Sequence, residues 1–144
     1  MDKKQKVERY AGILVKYNNK VLLCKRSSSH KTLKGVWSIP AGSIEEGEKP
    51  RDAAIREFYE ETNVLIDNAD DLELVGVINR YARDNKYIKG VMYVYVIEVN
   101  EELIPDLVNA KDGEEHTECG YFTIIDLPFD DHKDQLFKLI LKNF

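Results

Sequence analysis

Two cysteines, four prolines and one tryptophan are sparse for 144 residues, and no uninterrupted apolar run approaches the roughly 18 residues of a membrane-spanning helix. Cys24 and Cys119 show no Cys-x-x-Cys spacing, which argues against a zinc site and against a disulfide scaffold. Cys24 lies in an apolar run and reads as a packing residue. The opening Met1-Asp2-Lys3-Lys4-Gln5-Lys6-Val7-Glu8 lacks the apolar core of a signal peptide, so a cytoplasmic location and no membrane partner are expected. Neither Gly-x-x-x-x-Gly-Lys-Ser/Thr nor Gly-x-Gly-x-x-Gly occurs, which removes two common phosphate cradles. Basic excess is missing too. A net charge of −5 argues against a broad nucleic-acid face, and the lysines near either end read as solvated surface. His30, His116 and His132 have no metal-ligand spacing among them, and His116 reads as a surface residue.

What is present is a 43% hydrophobic, 33% charged chain, expected to fold as one domain over residues 1–144. Its most informative stretch is Gly42–Val64. A glycine turn at Ala41-Gly42 leads to a helix starting near Pro50, which suits the first helical position, while Asp52 favours the positive end of the helix dipole. Lys49 is a poor N-cap. Glu57, Glu60 and Glu61 then fall within about 60° behind and 40° ahead of one another on the helical wheel, so three carboxylates share a stripe. Like charges this close destabilise a helix unless a cation neutralises them, and hard oxygen donors suit Mg²⁺ or Mn²⁺. Ala54, Ile55, Phe58, Thr62 and Leu65 form the neighbouring apolar stripe, so the acidic face borders the core. Arg56 precedes Glu60 by four residues and can hold a carboxylate through its fork.

These residues resemble the signature of the Nudix hydrolase family, Gly-x5-Glu-x7-Arg-Glu-U-x-Glu-Glu-x-Gly-U with U bulky and apolar. Gly42, Glu48, Arg56, Glu57, Phe58, Glu60, Glu61 and Val64 match it, and Asn63 stands where the second glycine is usual. Asn is the best non-glycine residue for a left-handed helix end, so the departure costs about 1 kcal/mol or less and leaves the ligands in place. Leu22-Leu23-Cys24-Lys25-Arg26, Gly35–Gly42 and the tail Glu115-His116 … Tyr121-Phe122 … Leu127-Pro128 extend the resemblance across residues 7–128.

The resemblance implies an α+β fold, an α/β/α sandwich around a mixed sheet. It also implies hydrolysis of a nucleoside diphosphate linked to another moiety, with water attacking a phosphorus beside divalent metal. Carried over, Glu57 and Glu61 are metal ligands, Glu60 a third ligand or a supporting acceptor, and the Ala41 carbonyl a backbone ligand. Arg56 and Glu48 form the buttress that orients Glu57. The general base is expected on the loop before the closing aromatic strand, with Glu115 first, Glu114 and Glu118 as rivals and Glu60 as a further alternative. Arg26 and Tyr81 are the candidate substrate contacts. Tyr81 lies 17 residues after Val64, where a tyrosine accompanies dinucleoside polyphosphate hydrolysis in relatives; Asn79 replaces the nearby proline that would suggest ADP-ribose. Packing at a strand end explains Tyr81 equally well.

Strands are expected over 7–17, 21–26, 36–40, 72–82, 87–99 and 120–125, with a long loop over 100–118 and a final helix over 131–144 whose Leu136, Leu139, Ile140 and Phe144 turn inward. Asn18-Asn19 marks a hairpin, residues 83–86 another turn, and 91–99 a central strand apolar on both faces. The expected partner is a small nucleotide, with no nucleic acid other than a capped RNA end, and a homodimer is compatible with the sequence. ADP-ribose, NADH and nucleoside triphosphates compete as substrates. Two other classes compete with the enzyme: a non-catalytic nucleotide-sensing module, which should have lost a ligand glutamate, and an isomerase acting on a prenyl diphosphate, which would want a reactive cysteine.

Overall fold

The computed structural model describes residues 7–27, 36–81, 88–128 and 135–144, with only the backbone at 80, 81, 88 and 89. Strand β1 (Glu8–Tyr17) turns into β2 (Lys20–Arg26) through Asn18 and Asn19, both at positive φ (51° and 61°), as a two-residue hairpin with right-handed strand twist requires. The two strands pair only at Lys16↔Val21 and Tyr17↔Lys20 before parting. Into the fork come β3 (Trp37–Ser38), paired to β2, and β4 (Ala41–Ser43), paired to β1. On its other edge β1 runs parallel to β6 (Ile88–Val99), which is antiparallel to β5 (Glu73–Tyr81). Strand β7 (His116–Phe122) lies antiparallel to β2 and completes a seven-stranded mixed sheet.

Alternation along the strands sends one set of apolar residues to each face. Ala11, Ile13, Val15, Leu22, Tyr95 and Ile97 meet helix α1 (Pro50–Thr62). Leu14, Val21, Leu23, Met92 and Val94 meet helix α2 (Gln135–Lys142) on the opposite face. The fold is α+β, a mixed sheet between two helices, and β6 is apolar on both faces because both are covered.

Helix α1 starts at Pro50 without a side-chain cap from Lys49 and ends at Asn63, whose φ of 62° is left-handed and whose N–H donates to the Tyr59 carbonyl at 2.8 Å. Ala53, Ala54, Phe58 and Thr62 are buried and Ile55 is half-buried. Leu65, expected on the same stripe, is 59% exposed, because the left-handed residue at 63 breaks the helical phase before it. In α2, Leu136, Phe137 and Ile140 are buried, while Leu139 and Phe144 pack at the edge of the same cluster.

Three expectations need correction. Ala41-Gly42 is not a turn: it lies in β4, bonded to β1, and the glycine with positive φ is Gly47 (80°). The closing strand begins at His116 instead of Gly120, because pairing with β2 extends back to Arg26. Cys24 and Cys119 form a disulfide between β2 and β7; they stand directly opposite each other in the register with Cα atoms 4.0 Å apart, a proximity that a sequence separation of 95 conceals. The expected 83–86 turn and the first residues of the last helix lie outside the described residues. Among the described residues, no helix is long and apolar enough to cross a membrane.

The 100–115 segment is a loop ending in a short 3₁₀ turn (Gly113–Glu115), and it is tied to the end of α1. The Asp106 N–H donates to the Thr62 carbonyl at 2.8 Å and the Asp112 N–H to the Glu60 carbonyl at 2.7 Å. Carbonyls in the last turn of a helix lack intrahelical partners, and here the loop supplies them. Gly113 permits that close return: a Cβ there would sit 1.9 Å from the Leu107 carbonyl oxygen.

Candidate active site

Arg56 uses its whole fork. Nε and Nη2 donate to the two oxygens of Glu48 (2.8 and 2.9 Å), Nη1 to Glu57 Oε1 (2.8 Å) and Glu60 Oε2 (3.1 Å), and Nη2 also to the Ser43 carbonyl (2.9 Å). These five bonds account for every donor a guanidinium has. The neighbouring carboxylates hold Arg56 even more firmly protonated than usual, and Arg56 holds Glu48 below the usual carboxylate range. Glu57 goes the other way: burial pushes it up despite its bond to Arg56. The other oxygen of Glu60 lies 3.5 Å from Lys111 Nζ, so both oxygens of Glu60 face cationic side chains.

Glu61 occupies a drier place, with its whole residue 1% exposed. Its Oε1 lies 2.6 Å from His116 Nε2, while its Oε2 is buried without a hydrogen-bond partner. Burial raises this carboxyl well above its ordinary range, the charges of Glu115 and Glu57 add to the effect, and Arg26 and the Ala41 amide oppose it. Gly42 lies against Glu57: a Cβ on residue 42 would come within 2.1 Å of that carboxylate, so the missing side chain makes the space Glu57 occupies. Ala41 precedes it on β4, paired with Gly12 of β1.

Glu115 approaches from the loop. Its carbonyl accepts from the Ser27 N–H at 2.9 Å and its own N–H donates to the Asp112 carbonyl at 3.1 Å, so its backbone is fixed on both sides. The side chain is half-buried and raised, first by burial and then by the charges of Asp112 and Glu57, with Arg26 opposing. Glu114 and Glu118, the rivals read from sequence, are both exposed. Arg26 is buried at the end of β2, where its charge reaches both Glu61 and Glu115. Tyr81 ends β5, and its side chain lies outside the described residues.

His116 is not a surface residue. It is 5% exposed and bonded to Glu61 because β7 begins four residues earlier than expected and carries it inward. Asp112, also unread in the sequence, shares the field of Glu57 and Glu115. His116 is placed by the pairing of β7 with β2, and Asp112 by the tie between loop and helix.

Among the described residues, no three His, Cys, Asp or Glu side chains converge as a finished metal cage. Arg56 already engages Glu57 and Glu60. The donor chemistry nonetheless fits a hard divalent cation. A buried carboxylate oxygen without a partner and a second carboxylate set in the space beside a glycine are oxygen donors of the kind such a cation takes. Glu60 is the least available of the three helix glutamates.

A family model described as NUDIX domain matches residues 6–141. The chain is 33% identical over 92 residues to an uncharacterized Nudix hydrolase, YvcI, of Bacillus subtilis, covering 62% of this chain and 53% of that protein, so it spans about half the length of that relative. It is 31% identical over 132 residues to the RNA pyrophosphohydrolase of Bartonella clarridgeiae (81% of this chain, 74% of that one). With the ADP-ribose pyrophosphatase of Methanocaldococcus jannaschii it shares 30% over 118 residues (81% and 62%). The fold matches the crystal structure of a MutT NUDIX hydrolase from Burkholderia pseudomallei with TM-score 0.75 at 21% identity, covering 96% of this chain and 99% of that one. It also matches a C. elegans Ap4A hydrolase binary complex with TM-score 0.65 at 20% identity and 95% coverage of both.

Proposed function

Because the chain belongs to the Nudix hydrolase family, we propose that it hydrolyses a pyrophosphate bond in a nucleoside diphosphate linked to another moiety, with Mg²⁺ or Mn²⁺ as the required cation. The observation that carries this is the pair Glu57 and Glu61. One is cradled by Gly42 and the other buried with a single oxygen unbonded, both on one helix beside β4. Those carboxylates, with the Ala41 carbonyl, would hold the cation, and Glu60 would support them through Arg56. Such a cation supplies Lewis acidity toward the phosphoryl oxygens.

The remaining work falls to the chain's own side chains. Arg56, anchored on Glu48 and the Ser43 carbonyl, holds Glu57 in place. Glu115 takes the proton from the attacking water as the new P–O bond forms and the anhydride P–O bond breaks. Its partial burial favours a carboxylate of raised basicity, as a general base wants. Arg26 contributes positive charge at the same end of β2. The whole of residues 1–144 is proposed to act as one such domain.

For substrate, a dinucleoside polyphosphate ranks first on Tyr81. A pyrophosphate at an RNA 5′ end is the second reading, supported by the likeness to an RNA pyrophosphohydrolase at 31% identity over 132 residues. The net charge of −5 is compatible with it only if contact is confined to the RNA end. ADP-ribose, NADH and nucleoside triphosphates follow.

Wild type, Glu57→Gln and Glu61→Gln assayed with Mg²⁺ and Mn²⁺ on these substrates and capped RNA test the reading. Each variant should stay folded and lose roughly 10²–10³-fold in turnover, about 2.7–4 kcal/mol of barrier by analogy with removal of one oxyanion-stabilising group. Wild-type turnover by either variant at saturating Mg²⁺ would remove that residue from the ligand set. Full wild-type activity in chelator would remove the cation.

A further inference from the structure

We propose that His116 is a positioning residue for Glu61, fixing which of its two oxygens is offered to the cation; this rests on the cation site proposed above. The two side chains are only 1% and 2% exposed, and His116 Nε2 lies 2.6 Å from Glu61 Oε1. Glu61 Oε2 is left buried with no partner. A glutamate's terminal torsion is broad, so an unheld carboxylate presents either oxygen or both. With Oε1 held, a single oxygen is presented in a single orientation. As a cation ligand Glu61 is ionised and can only accept, so Nε2 carries the hydrogen.

The backbone that carries the imidazole is itself held. His116 opens β7 opposite Arg26 of β2, and the preceding carbonyl, that of Glu115, accepts from the Ser27 N–H at 2.9 Å. Glu57 is held in the corresponding way by a different group, with Arg56 Nη1 on its Oε1 at 2.8 Å. The choice of holder follows burial. Arg56 is a quarter exposed and finds acceptors for all five donors. Beside the dry Glu61 an imidazole brings two ring nitrogens, where a guanidinium would bring five N–H donors. The same strand entry thus delivers Glu115 toward the reacting water and His116 to the ligand beneath it.

The test is Mn²⁺ binding to the whole protein without substrate, followed by calorimetry or by the electron paramagnetic resonance signal of free Mn²⁺. His116→Leu, which removes the donor, should weaken binding roughly 10- to 100-fold, the usual cost of losing a hydrogen bond that orients a ligand. His116→Gln, which keeps an N–H at similar reach, should recover most of that loss, and His116→Asn, too short to reach, should not. Wild-type affinity in His116→Leu would overturn the proposal, as would equal affinities for the Gln and Asn variants. Thermal unfolding in chelator monitors the fold, and if the Leu variant does not fold, the Gln–Asn comparison decides. Glu61→Gln separates the two readings. If it binds Mn²⁺ like wild type, the cation site itself is misplaced; if it binds weakly while His116→Leu binds normally, only the role of His116 falls.

Discussion

Helices α1 and α2 cover opposite faces of one sheet, yet what each presents to it differs. α2 turns Leu136 and Ile140 to the sheet and leaves Lys138 in solvent, a conventional amphipathic arrangement. α1 buries Glu61 and Thr62 beside Ala53, Ala54 and Phe58, and keeps Arg56, Glu57 and Glu60 half-buried. A helix with charges on its inner side gains less from apolar burial, and its surroundings make up the difference. The loop bonds to the Glu60 and Thr62 carbonyls, and Arg51 caps the arrangement by donating to the Ala69 carbonyl at 2.8 Å while lying 5.7 Å over the Tyr95 ring. One helix mainly stabilises, and the other is stabilised so that it can carry chemistry.

The comparison can be broken first at the loop that serves α1. Glu115→Gln should lower kcat by roughly 10²–10⁴-fold, the contribution of a positioned base, while Mn²⁺ affinity and melting temperature stay near wild type. If Glu118→Gln proves the more damaging, the exposed end of β7 and not the half-buried turn faces the reaction. Next comes α2. Ile140→Ala should cost about 2–5 kcal/mol of stability by opening a cavity in a fully buried position, with kcat per folded molecule unchanged. A selective fall in kcat would show that α2 also shapes the site.

The smallest effect is one of pH. Burial raises Glu57, Glu61 and Glu115 in the folded chain, so as pH climbs past the ordinary carboxylate range the unfolded chain ionises first and stability falls. Glu48, held low by Arg56, acts in the opposite sense but only below that range. In chelator the melting temperature should therefore be higher near pH 5 than near pH 7.5, by about 2–4 °C for each kcal/mol involved. Mg²⁺ should shrink the difference, because a bound cation favours the ionised carboxylates. A melting temperature that rises with pH in chelator would contradict the burial of these groups.

Much of the α1 side was legible because its spacing is local. Pro50, the Arg56–Glu61 run and Asn63 obey helical geometry within a few turns, and Asn18-Asn19 obeys hairpin geometry within two residues. What escaped depends on register between distant strands. His116 reads as surface until β7 pairs back to Arg26, and Cys119 meets Cys24 only through that same pairing. Asp112 enters through a backbone bond to a helix carbonyl, which no side-chain pattern announces. From its neighbours in sequence Gly42 reads as a turn former; its role is steric, and that follows from where Glu57 lies.

The fork between β1 and β2 has a mechanical consequence. The two strands share only the short paired stretch near Asn18-Asn19 and then diverge, like the arms of a pair of tongs joined at one pivot. β4 is bonded to the β1 arm and α1 packs against it, which places Gly42, Glu57 and Glu61 on that side. β7 rides on the β2 arm and brings His116, with Glu115 at its entrance. The contact between His116 and Glu61 is a clasp where the two arms meet, and the width of the fork sets how far the proposed base stands from the proposed ligands.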